Sequence, residues 1–126
     1  MEPIAKSITV EELLVDLRDE LRLELVNPDA DVQRQITVSD INRPGLALAG
    51  FFKYHPAERV QVLGKTETAF IDGMKLEKKE GRSETFCSHE ATPCVLISRD
   101  IAVPDHLMEA AVRHRLPIIR TPLATT

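Results

Sequence analysis

Apolar residues recur at Val10, Leu13, Leu14, Leu17 and Leu21, the spacing of one helical face, while Asp16, Arg18, Asp19, Glu20 and Arg22 fall largely off that stripe. Thr9 and Glu12 stand at its start as a capping box, in which hydroxyl and carboxylate satisfy the first backbone N–H groups of a helix. Leu23-Glu24-Leu25-Val26 follows as a short strand closed by the turn residues Asn27-Pro28-Asp29. Ile36-Thr37-Val38 reads as the next strand, and Ser39 to Gly45 as a polar loop after it. From Leu46 to about Phe52 the apolar residues, rich in Ala and Leu, predict a short buried helix that His55-Pro56 breaks.

The second half alternates more regularly. Arg59 to Leu63 reads as a strand, and Thr66 as the N-cap of a helix carrying Phe70, Ile71 and Met74 inward, which Gly73 weakens. Lys75 to Glu84 is a mixed-charge run, read as a solvated helix end and loop. Cys94-Val95-Leu96-Ile97 is an uninterrupted apolar run, the signature of a strand buried on both faces. Pro104 suits the first turn of a helix whose inner face is Leu107, Met108, Ala111 and Val112, and Leu116-Pro117-Ile118-Ile119 returns as a strand. Strand, helix, strand at this spacing is a βαβ unit. The fold class expected is α/β, a mostly parallel sheet of about four to five strands flanked by helices. Residues 1–120 form one domain in this reading, and 121–126 open a linker.

At 126 residues the chain is long enough for one domain with its own core, and its 43% hydrophobic content argues against disorder. No apolar run reaches the ~18 residues needed to cross a bilayer. MEPIAKSITVEE lacks the apolar core of a signal peptide, so a cytoplasmic location without membrane contact is expected. A net charge of −4 and the absence of Trp speak against nucleic acid as a partner. Cys87 and Cys94 are read as reduced packing or surface thiols. With His89 they match no structural zinc spacing, so no metal site is expected.

Four predicted strand ends each bring a cation and a hydroxyl. Ser39, Asp40, Asn42 and Arg43 follow the strand at 36–38, and Lys65 and Thr66 follow the one ending at Leu63. Ser98 and Arg99 follow Ile97, while Arg120 and Thr121 follow Ile119. Were the strands parallel, Ser39, Asn42, Arg43, Lys65, Thr66, Arg99, Arg120 and Thr121 would gather at one sheet edge as a site for a phosphate or carboxylate. The structural alternative makes the hydroxyls helix caps and pairs Asp40 and Glu67 with nearby cations. No catalytic set emerges. His55, His89, His106 and His114 have no partner evident in sequence, no Gly-x-Ser-x-Gly or His-Glu-x-x-His occurs, and Glu77, Glu80 and Glu84 sit among lysines as solvated charges.

Gly64-Lys65-Thr66 imitates the tail of a phosphate-binding loop, but the second glycine such a loop needs, five positions earlier, is Arg59, inside a predicted strand. Nucleotide hydrolysis by this chain is therefore rejected. The block SDINRPGLALAGFFKYHPAERVQVLGKTE, with TPCVLISRD and the closing LPIIRTPLATT, resembles the N-terminal domain of bacterial HPr kinase/phosphorylase from about Ile8 to Thr126. The resemblance implies a fold similar to the N-terminal domain of muramyl-peptide ligases, where that domain holds a uridine nucleotide. It also implies a non-catalytic regulatory and interaction role here. An absent C-terminal domain would use ATP or pyrophosphate and Mg2+ to phosphorylate a serine of the phosphocarrier HPr, and would reverse this with phosphate, in carbon-source control through the phosphotransferase system. The family assembles as hexamers. The alternative is a free-standing module binding phosphate or a uridine nucleotide.

Overall fold

The computed structural model describes residues 7–124. β1 (Ile8–Thr9) leads into α1 (Val10–Leu21), and β2 (Glu24–Leu25), β3 (Gln35–Ile36), β4 (Ile41–Asn42) and α2 (Gly45–Leu48) complete the first half. β5 (Val60–Leu63), α3 (Lys65–Asp72), α4 (Leu76–Cys87), β6 (Val95–Ile97), α5 (Asp105–His114) and β7 (Ile118–Arg120) make the second. The capping box forms as the sequence predicts. Glu12 donates its N–H to Thr9 Oγ1 at 3.0 Å, and Thr9 N–H reaches the Glu12 carboxylate at 2.9 Å.

Five strands form one sheet in the order β2-β7-β6-β5-β4. β4 through β7 are parallel, and β2 lies antiparallel to β7 with Leu25 opposite Ile119. The parallel strands follow sequence order across the sheet, so their crossovers advance in one direction and leave the connecting helices on one face. The pleat divides the core accordingly. Along β6, Val95 and Ile97 join Leu48, Ile71, Phe86, Leu107 and Ala111 beneath α2 to α5, while Cys94 and Leu96 face Val10 and Leu14 of α1. The expected α/β class, mostly parallel and flanked by helices, is the one observed. Val26 to Ala30 turns the chain beside β7, where Asn27 is buried. Its Nδ2 donates to Leu116 O at 2.7 Å, and its Oδ1 accepts from Ile118 N–H at 2.8 Å.

On the α1 side one helix faces five strands. A helix of 12 residues is about 18 Å long and ~10 Å wide, whereas strands repeat every ~4.8 Å, so about two strands are covered. Val32 and Ile36 pack on this side as well, and beside α1 an apolar groove of about 170 Å³ is lined by Leu13, Leu21, Ile41, Val60, Leu96 and Ile119 among others.

Several local readings are corrected. The strand at 36–38 is Gln35–Ile36, and it pairs with β1 in a separate two-stranded ribbon rather than entering the main sheet. The sheet strand is Ile41–Asn42, inside the segment read as loop, because parallel pairing with β5 supplies hydrogen bonds that the local sequence does not advertise. α2 stops at Leu48, short of Phe52. Gly64, not Thr66, caps α3, and Phe70 faces outward at 45% exposure. The charged run at 75–84 is most of α4, whose buried positions, Ser83, Phe86 and Cys87, come only at its end. Val112 is also exposed, where α5 turns away from the core.

Candidate functional site

The carboxyl ends of four parallel strands share one edge, where ligands sit in open α/β sheets. The sheet winds in one direction, however, and no reversal of strand order opens a crevice among β4 to β7. Three strand spacings separate the ends of β4 and β7, roughly 14 Å, too far for cations on the two to hold one phosphate.

The eight predicted residues separate into distinct places. Ser39 precedes β4 and lies at the amino edge with Asp40, which approaches Arg59 at 4.0 Å. Asn42 sits within β4 and donates to the Gln61 side chain at 2.7 Å, which is itself buried and held by the carbonyls of Pro56 and Arg59. Lys65 and Thr66 are the first residues of α3, both exposed. Arg99, also exposed, is in the left-handed region with φ 59°. Arg120 reaches Glu24 at 3.1 Å and Asp100 at 3.9 Å. Thr121 is buried and turns its hydroxyl to the Leu21 carbonyl.

What the fold does assemble is a compact group at the ends of β4 and β5. Arg43 binds the Glu67 carboxylate through Nε (3.1 Å) and Nη2 (2.8 Å). The same carboxylate accepts the Gly64 N–H at 2.7 Å. Burial alone would raise the Glu67 pKa, but the hydrogen bonds from Arg43 and Gly64 outweigh it and hold the carboxyl below its ordinary range. Its contribution to stability is complete above the unfolded value, about 4.3, and is lost as pH falls through the folded one. A side-chain anion thus occupies the place at the first turn of α3 that a phosphate would take in a nucleotide-binding loop. The residues do not fit a nucleotide triphosphate.

Gly64 is required by this packing rather than by its backbone, which is extended. A Cβ there would stand 2.6 Å from Arg43 Nη2 and 3.4 Å from Ser98 Oγ. Gly64→Ala is expected to keep the fold, because the blocking atom ends a flexible side chain, but to displace Arg43 from Glu67. The loss should be about 1 kcal/mol by denaturant unfolding and should vanish in an Arg43→Ala background.

Beside this group lies a cavity of about 120 Å³ lined by Asn42, Arg43, Leu46, Phe51, Tyr54 and His55 among others. Sequence reasoning gave the histidines no partners, and the fold supplies them. His106 meets Glu109 at 3.3 Å, His114 meets Glu84, and the rings of His55 and His89 touch with centroids 5.3 Å apart. Glu84, read as solvated, also accepts from Arg113 at 2.8 Å, and the bonds from Arg113 and His114 lower its pKa. Cys87 and Cys94 are both buried, and burial pushes each thiol up to about 12. Among the described residues no three His, Cys, Asp or Glu side chains converge as metal ligands would, and no helix is long and apolar enough to cross a membrane.

A protein-family model described as HPr Serine kinase N terminus matches residues 8–126. Proteins named HPr kinase/phosphorylase are similar over 111 residues: 44% identical in Bacillus licheniformis, 43% in a Bacillus cereus strain and 40% in Bacillus subtilis. Each match covers 88% of this chain and 36% of the relative, so the chain spans little more than a third of the length of these curated relatives.

Proposed function

Because the chain belongs to the HPr serine kinase N-terminal family, we propose that it works as a non-catalytic regulatory and interaction domain of a longer protein similar to HPr kinase/phosphorylase. In this reading the remainder of that protein carries the chemistry. It would phosphorylate a serine of HPr with ATP or pyrophosphate and Mg2+ and reverse this with phosphate, in a cytoplasmic homo-oligomer. The observation that carries the non-catalytic role is the Glu67 carboxylate seated on Gly64 N–H and Arg43, closing the one segment that resembles a phosphate loop. An interaction role is supported by Leu46, Phe51 and Tyr54, exposed at 71%, 49% and 76% around α2 in a chain poor in aromatics.

Incubated with HPr, Mg2+ and either ATP or pyrophosphate, the chain is expected to yield no phosphoserine by mass spectrometry; its appearance would overturn the non-catalytic role. For the interaction role, the chain should replace the matching third of the Bacillus subtilis relative without loss of HPr phosphorylation. Leu46→Asp with Tyr54→Asp in that graft should then alter assembly or rate, and an unaltered graft would remove this surface from the proposal.

The cavity beside Asn42 and Arg43 favours a second reading, a module for phosphate or a uridine nucleotide. A ligand that prefers the native state raises the melting temperature, so an unchanged melting curve with either compound would discard it.

A further inference from the structure

Four rings from the segment after α2 and the end of α4 pack together behind the cavity wall. His55 lies edge-on to Phe52 (5.8 Å, 90°), tilted against Phe86 (5.7 Å), and across His89 (5.3 Å, 69°). His89 in turn stacks on Phe52 at 5.9 Å, and its Nδ1 lies 3.4 Å from the Phe86 carbonyl. Phe86 is fully buried in the last turn of α4, so the cluster ties the 51–58 segment to the main core. The Nε2 of His55 is shut off from solvent and has no hydrogen-bond partner.

A neutral imidazole tolerates such a place, whereas a charged one loses its hydration and gains no acceptor. The groups acting on His55 are few. His89 faces it across the ring contact and opposes a positive charge, Glu58 on its own segment weakly favours one, and Phe52 and Phe86 carry none. We propose that the His55–His89 ring pair is a proton-operated latch: with His55 neutral the 51–58 segment is closed on α4, and protonation of His55 releases it, opening the cavity wall that Phe51, Tyr54 and His55 form. Burial, and after it the neighbouring His89, holds the His55 pKa below its ordinary value. The released segment has the ordinary value, about 6.5, so closure is fully favoured above that pH and is progressively lost as pH falls toward the folded value.

Amide hydrogen exchange of residues 51–58, corrected for intrinsic rates and followed from pH 7.5 to 5 alongside the His55 ring signals, tests the latch. Protection there should fall with the titration of His55, by up to about tenfold for each unit of pKa lowering, while α1 keeps its protection. His55→Phe, which keeps a ring and removes the proton site, should make protection of the segment independent of pH. His89→Phe should move the His55 midpoint and the opening upward together. The latch is overturned if His55 titrates without a change at 51–58, if protection is flat in the unsubstituted chain, or if His55→Phe keeps the pH dependence. Should His55→Phe fail to fold, a His89→Phe midpoint that leaves the opening where it was overturns it equally.

Discussion

Phe86→Ala is expected to cost about 3–5 kcal/mol, a large share of the 5–15 kcal/mol that holds a domain folded. The ring is fully buried in the core beneath α2 to α5 and is one of the largest side chains there. It is also the deepest member of the cluster that receives His55. Truncation leaves a cavity within the core cluster that Phe86 shares with residues of β6, β7 and α5, which the surroundings fill only in part. Urea unfolding followed by circular dichroism reads the effect as a shift in midpoint at constant slope. Phe86→Leu should lose far less, within about 1.5 kcal/mol. A loss below about 1 kcal/mol for the alanine variant would mean that the last turn of α4 is not seated on the sheet.

Asn27→Ala is expected to cost about 2–6 kcal/mol although it removes little apolar surface. The carboxamide is the partner of two backbone groups far away in sequence, the Leu116 carbonyl and the Ile118 N–H. Alanine orphans both inside a buried site, at about 1–3 kcal/mol each. Asn27→Asp separates this account from simple packing. A carboxylate still accepts from Ile118 N–H but cannot donate to Leu116 O, so stability should drop at neutral pH. Burial raises the pKa of such a carboxyl, and its protonated form restores the donor, so the aspartate variant should regain stability as pH falls from 7 toward 5. Thermal melts across that range decide it: a variant that only weakens further on acidification would show that the donor is not what Asn27 supplies.

The sequence makes some of this molecule plain and conceals the rest for identifiable reasons. α1 is legible because its cap and apolar stripe are both local, and β6 because four apolar residues in a row need a two-sided core. β4 is hidden because Ile41 and Asn42 owe their extended form to β5, a partner met only after α2 has turned the chain. α4 is hidden because no residue of its first two turns is buried and its buried apolar positions, Phe86 and Cys87, come only in the last turn, so the segment reads as solvated charge. At the candidate site Arg43, Lys65, Thr66, Arg99 and Thr121 follow strands while Ser39 precedes β4 and Asn42 and Arg120 lie within β4 and β7, and the partners of these residues are not legible in the sequence. That Arg43 is committed to Glu67 rather than to a ligand depends on how β4 and α3 meet, which no spacing rule contains. Ser39 lies at the opposite edge for the same reason that β4 is hidden.

The position of β7 between β2 and β6 bears on how the polypeptide matures. β2 is made before the rest of the sheet, but among the described residues its neighbour there is β7, the last of these strands to emerge, with Leu25 waiting for Ile119. At ordinary elongation speeds, 5–20 residues per second, that wait is roughly 5–20 s. Throughout it α1 has no completed sheet to lie on, and its leucine stripe stands open to chaperones and to other nascent chains. α1 and β2 are thus made well before the sheet they pack on and are among its last elements to find their place.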